Sequence, residues 1–168
     1  NLLNFDIDLK KRIILDQPIL STLKMSQLEI IAKKRKQDFI LKRFDTVFNV
    51  SISIHEAEAL LGRICKSVER EVKNNNCNLV VLSDKKTSKT DIAFPSLLAL
   101  SSVHQYLIKK GLRTKCSIIV ETGEAREVHH FCVLAGYGAE AIHPYLALGS
   151  LKQIDVSKNS SKQVNELE

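Results

Sequence analysis

The stretch at residues 117–148, SIIVETGEAREVHHFCVLAGYGAEAIHPYLAL, decides the fold. Ser117, Ile118, Ile119 and Val120 open it as a short, largely β-branched run that reads as a buried strand. A turn with Gly123 follows. Glu124 and Glu127 then fall in the first turn of a helix, where acids face unpaired amides and the positive end of the dipole. That helix, over 125–135, carries Val128, Phe131, Cys132 and Ala135 at i, i+3, i+4 and i+7, a stripe for its own sheet. GYG at 136–138 stops it. Ala139 to His143 make a second short strand, closed by Pro144. Strand, helix and strand in so short a span make a βαβ unit, and therefore a parallel sheet.

The same pattern runs back along the chain. Residues 1–20 show little periodicity and are broken by Pro18; Ser21 or Thr22 can cap a helix carrying Met25, Leu28, Ile31 and Ala32. FILKRFDTVFNV, at 39–50, alternates well enough for one or two strands. Ser53 and Glu56 form a capping box for a helix with Ala57, Leu60, Leu61, Ile64, Val68 and Val72 on one face, ended by Asn74 to Asn76. Leu79 to Leu82 is the next buried strand, and Lys85 to Asp91 a polar loop. Pro95 opens a helix with Leu100, Val103 and Leu107 inward, down to Gly111 at the C′ position. The fold class is thus α/β, a parallel sheet of repeated β-α units. A complete eight-unit barrel takes about 250 residues, so these 168 suit a partial (β/α) barrel or an open sheet.

In such folds functional groups gather beyond the carboxyl ends of strands. Those positions are Ser83 and Asp84, then Glu121, Thr122 and Gly123, then His143. Asp84 and Glu121, with His143 beside them, would make an acid/base set. The competing reading is that strand-end polar residues cap the helices that follow, and it is preferred. Glu127, His129 and His130 suggest a metal, but neighbouring helical residues point about 100° apart, so the two imidazoles do not share one ion. GxG at 136–138 follows a helix and is a stop signal, not a dinucleotide loop. His130, Val133 and Leu134 lie opposite the Val128–Ala135 stripe, so this helix is apolar on nearly all sides. Those three residues are the candidate interdomain contact.

Composition narrows the class. The net charge is +6, but the only compact basic run is Lys33 to Lys36, which reads as a solvated helix face. With three tyrosines, six phenylalanines and no tryptophan there is little for base stacking, and nucleic acid is excluded as a partner. No apolar run approaches a membrane span, and no charged-then-apolar leader is visible. Cys65, Cys77, Cys116 and Cys132 include no CxxC pair, so a metal or cluster site is not expected. Cys65 and Cys132 fall on apolar helix faces and read as buried free thiols of a reducing compartment. The absence of an opening methionine and the polar run at 156–168 suggest an excerpt of a longer chain.

ETGEAREVHHFCVLAGYGAEAIHPYLAL at 121–148, with VVLSD at 80–84 and FPSLLALSSVHQYLIKKGLRTK at 94–115, closely resembles the central domain of the large glutamate synthase subunit. The resemblance covers roughly 12–151, and it divides the chain into a lead-in with a short helix (1–37), the central α/β domain (38–151) and a polar linker (152–168). It implies an enzyme that makes glutamate from glutamine and 2-oxoglutarate. An amidotransferase domain frees ammonia with a terminal cysteine. A flavin domain with FMN and a 3Fe-4S cluster carries out the reductive amination. Electrons come from ferredoxin, or from NAD(P)H through an FAD-containing partner subunit. None of the motifs for these sites occurs here. The resemblance therefore implies a scaffold between the glutaminase and flavin domains, with no catalytic, cofactor-binding or metal residue of its own. Lysine, asparagine and isoleucine richness suggests an AT-rich genome and favours the ferredoxin class in the plastid stroma, with the bacterial cytoplasm as the alternative. A reading of another class is a stand-alone α/β module with its own small ligand or interaction.

Overall fold

The four parallel strands read from the sequence lie side by side in chain order. The computed structural model describes residues 13–154; residues 1–12 and the expected linker from 155 onward fall outside that range. The elements are α1 (Thr22–Lys34), β1 (Leu41–Asp45), β2 (Val47–Asn49), α2 (Ile54–Asn74), β3 (Leu79–Ser83), β4 (Asp91–Ala93) and α3 (Ser96–Lys109). After a 3-10 turn at Arg113–Lys115 come β5 (Ser117–Glu121), α4 (Val128–Gly136) and β6 (Ala141–His143). Residues 145–154 are helical again, as α5, which runs across the expected boundary at 151/152. The main sheet has the order β1-β3-β5-β6, all parallel. No reversal interrupts that order, so the sheet lacks the switch point of a doubly wound fold and has the succession of a barrel segment.

Local signals fix the helix ends. The Ser21 hydroxyl accepts the Lys24 amide at the start of α1. Ser53 and Glu56 cap α2 reciprocally, satisfying two amides the helix leaves unpaired. Gly111, at φ +66°, takes the left-handed position after α3 that a side chain disfavours.

Strand alternation sends odd and even residues to opposite faces. Val80, Leu82, Ile118, Val120 and Ile142 join the core with Ile64, Val68 and Val72 of α2 and Leu100, Val103 and Leu107 of α3. On the other face, Val81, Ile119 and Ala141 meet Leu20, Met25 and Leu28, so α1 fills the place that opposing strands would fill in a closed barrel. The residues before α1 are part of this body: Ile19 bridges Ile142, and Leu20 is fully buried. A second, two-stranded antiparallel ribbon pairs β2 with β4, with the Phe48 and Phe94 rings 4.5 Å apart. The sequence showed β2 but not β4, whose three residues alternate too briefly to register as a strand.

The expected face of α4 is corrected. The helix begins at Val128, not 125, and Val128 is 78% exposed. Cys132 and Ala135 are also exposed. The inward residue is Leu134, 3% exposed, with Phe131 packed beside it. Leu134, placed by sequence on the outward side with His130 and Val133, therefore lies in this domain's own core. A helix apolar on nearly all sides fits its spacing either way round, and the crossover from β5 decides which side turns in. Glu124 likewise serves another helix: its carboxylate accepts the Ser96 amide at 2.7 Å, at the start of α3.

Candidate functional site

The carboxyl ends of the strands bring a polar row into register. Asp45 is level with Ser83, Ser83 with Glu121, and Glu121 with His143. By alternation all four belong to the α1 side, one step beyond the Val81–Ile119–Ala141 layer. Ser83, Glu121 and His143 are buried.

Glu121 is the centre of this row, with no exposed surface. Its Oε2 accepts from Ser83 Oγ at 2.6 Å and Arg43 Nε at 3.0 Å, and its Oε1 lies 2.8 Å from Lys85 Nζ. Arg43 extends the chain to α1 by donating to Glu29 Oε1 at 2.6 Å. The Lys85 ammonium also sits over the Tyr145 ring, 5.3 Å from its centroid. Burial raises the Glu121 pKa, but the Lys85 and Ser83 hydrogen bonds and the Arg43 and Lys85 charges outweigh it, and the carboxyl is held below its ordinary value. Burial opposes the charge on Arg43 too, yet Glu29 and Glu121 raise its pKa overall.

Asp84 holds a second set of contacts, joined to the row through Tyr145. Its Oδ2 accepts from Thr122 Oγ1 at 2.6 Å, and the Gly123 amide reaches both its oxygens at 3.0 and 3.1 Å. This fastens the loop after β3 to the loop after β5. A Cβ at Gly123 would push against the end of the Leu146 side chain, which would have to shift to admit it. Burial, then the hydrogen bond and charge of Asp84, push the Tyr145 phenol upward. His143 Nδ1 is 2.9 Å from the Leu20 carbonyl. A carbonyl only accepts, so this nitrogen carries the proton and ties β6 to the segment before α1.

The acid/base reading of Asp84, Glu121 and His143 thus has a definite outcome. Glu121 and His143 share a row, while Asp84 is committed elsewhere. Glu121 stays ionised against two cations, whereas a general base working near neutral pH needs a raised pKa. The row acts as a fastening. Arg43, Lys85 and Tyr145, which complete it, were missed in the sequence. Arg43 lies in phase with Leu41 and Asp45, but alternation alone cannot say that a basic residue there turns inward.

The α4 candidates lie elsewhere. His130 and Val133 line a groove of about 400 Å³ with Leu97, Glu124, His129 and the edge of Leu134. The His130 Nδ1 accepts the Arg126 and Glu127 amides at 3.2 and 3.3 Å, so its ring caps the start of α4. Among the described residues no group of three or more His, Cys, Asp and Glu side chains converges on a metal position. A flavin phosphate does not fit the strand ends, because the Gly123 and Ser96 amides that would face it are taken by Asp84 and Glu124. A three-iron cluster does not fit the cysteines either. Cys77 and Cys116 stand near each other ahead of β3 and β5, but Cys65 is on α2 and Cys132 is exposed on α4, so no three of them converge among the described residues, and burial pushes the Cys77 and Cys116 thiols up to about 11. No described helix is long and apolar enough to cross a membrane.

Comparison with known proteins points in one direction. A family model described as "Glutamate synthase central domain" matches residues 1–167. The chain is 43% identical over 143 residues to the "Glutamate synthase [NADPH] large chain" of Bacillus subtilis, covering 85% of this chain and 9% of that protein. It is 36% identical over 149 residues to the "Ferredoxin-dependent glutamate synthase" of Pyropia yezoensis, covering 88% and 9%. It is 33% identical over 162 residues to the "Glutamate synthase [NADH]" of Schizosaccharomyces pombe, covering 96% and 8%. The chain spans less than a tenth of the length of these relatives.

Proposed function

Because this chain belongs to the glutamate synthase central-domain family, we propose that it is the scaffold segment of a synthase that makes glutamate from glutamine and 2-oxoglutarate. The family match over nearly the whole chain carries this reading. The strand-end chemistry supports the scaffold role: Glu121 and Asp84 are engaged by internal partners, and their task is to hold loops together. Ammonia release, FMN and the 3Fe-4S cluster belong, on this reading, to the glutaminase and flavin domains of the same polypeptide. This segment fixes the distance between them. His130 and Val133, on the open side of α4, are the contacts offered to a neighbouring domain.

The electron donor on this reading is ferredoxin, and the compartment the plastid stroma. The amino-acid usage supports that choice; the relatives include NADPH-, NADH- and ferredoxin-named enzymes, among them a chloroplastic one from Spinacia oleracea. The test is an assay of the full-length protein for glutamine-dependent glutamate formation from 2-oxoglutarate, with reduced ferredoxin and NADPH supplied separately. Turnover with ferredoxin alone supports the whole reading. Turnover with NADPH alone overturns the donor, and none with either overturns the function. The segment from 1 to 168 by itself, incubated with FMN, stays colourless after desalting; stoichiometric flavin retention overturns the scaffold assignment.

A further inference from the structure

The two edges of the parallel sheet are finished differently. At β6, the Ile142 amide donates to the Pro18 carbonyl and the Leu20 amide to the Ile142 carbonyl, both at 2.8 Å, so the chain seals that edge itself. At β1, the Leu79 amide donates to the Ile40 carbonyl and the Thr46 amide to the Ser83 carbonyl. A parallel ladder uses alternate residues, so residues 40, 42, 44 and 46 address β3, and the backbone groups of Leu41, Arg43 and Asp45 point away from the sheet. Among the described residues no strand pairs with that side. A groove of about 470 Å³ runs along it, lined by Leu41, Lys42 and Arg43, by Ala32 and Lys33 of α1, and by Lys36 of the turn that follows α1.

We propose that the outer edge of β1 receives an acidic, extended segment from another part of the synthase polypeptide, added as the next strand of the sheet. Unpaired backbone groups on a strand beside an apolar floor of Ala32, Phe39 and Leu41 are a template for strand addition. Charge selects the occupant: Lys33 and Lys36 are exposed along the groove, while its acid, Glu29, is already bound to Arg43. The same lysines repel a second copy of this edge. Nor do β1's own charges shield the edge, since Arg43 is drawn in to Glu121 and Lys42 reaches towards Glu71. This inference rests on the scaffold reading and names one of the surfaces through which the scaffold is held.

The test uses the full-length enzyme. Amide exchange of Leu41, Arg43 and Asp45 is followed by mass spectrometry, and a photo-crosslinking residue replaces Lys36. Slow exchange at these amides, with a cross-link to an acidic stretch of the same polypeptide outside 13–154, is the expected result. Lys33→Glu with Lys36→Glu then removes the protection without unfolding α1. Free exchange, or a cross-link to a second copy or to a separate protein, overturns the inference. Glutamate formation by the same preparation is measured alongside. Its absence sinks the scaffold reading, whereas an active enzyme with a freely exchanging β1 edge sinks only this one.

Discussion

The two faces of the sheet are built on different chemistry. The face towards α2 and α3 is apolar from one end of the strands to the other, through Val80, Leu82, Ile118, Val120 and Ile142. The face towards α1 is apolar only as far as Val81, Ile119 and Ala141, and then becomes the buried polar row Ser83, Glu121 and His143. Apolar packing is non-directional and tolerates motion of a helix over a sheet. A buried carboxylate between Arg43 and Lys85 allows one arrangement of the three elements that supply them. One face holds the domain together, and the other fixes how α1 and the strand-end loops sit on it.

The largest effect belongs to the apolar face. Ile64→Ala removes a buried side chain from the α2 stripe and is expected to cost about 2–5 kcal/mol. Urea denaturation of this chain measures it. A change inside the surface range of about 0.5 kcal/mol would remove α2 from the core and with it the contrast between the faces.

A smaller loss is expected on the polar face. Glu121→Gln keeps the shape but gives up charge-assisted bonds to Arg43 and Lys85, at about 1–3 kcal/mol, discounted because both cations are partly exposed. The sign with pH follows from the lowered pKa of Glu121. Its contribution is fully present above the ordinary glutamate value of about 4.3, and is lost as pH falls through the lower folded-state value. The gap in urea midpoint between wild type and Glu121→Gln therefore narrows below that pH. A gap that widens on acidification would mean that burial, not the cations, governs this carboxylate.

The two faces were not equally legible. The α2 stripe, its Ser53–Glu56 cap and the four parallel strands follow from periodicity and from residues next to each other in the chain. The polar row does not. Ser83, Glu121 and His143 could be named as strand-end residues, but the partners that decide their chemistry, Arg43 and Lys85, are 78 and 36 residues from Glu121. Whether such a carboxylate is a base or a fastening depends on those partners, which no local pattern contains. α4 failed for a third reason. With Val128, Phe131, Val133 and Leu134 all apolar, two faces satisfied the spacing equally, and packing chose the one through Leu134.

The smallest expected effect sharpens the comparison at α4. Val128 is 78% exposed, at the first turn of the helix, and Val133 is half-buried in the groove beside α3. Val128→Lys leaves the urea midpoint of this chain within about 0.5 kcal/mol of wild type, since it desolvates nothing. Val133→Lys costs slightly more, because the lysine stem can lie along the groove and keep its ammonium in water. In the full-length enzyme the order of effects on function is reversed relative to simple exposure. A neighbouring domain seated on the groove would have to desolvate the new ammonium at position 133, so Val133→Lys lowers the ratio of glutamate formed to glutamine hydrolysed, while Val128→Lys leaves it unchanged. Equal ratios for both variants would show that the groove faces solvent in the assembled enzyme. Unfolding of this chain by Val133→Lys would place that side of α4 in the domain's own core, and neither face of the helix would then remain for a neighbour.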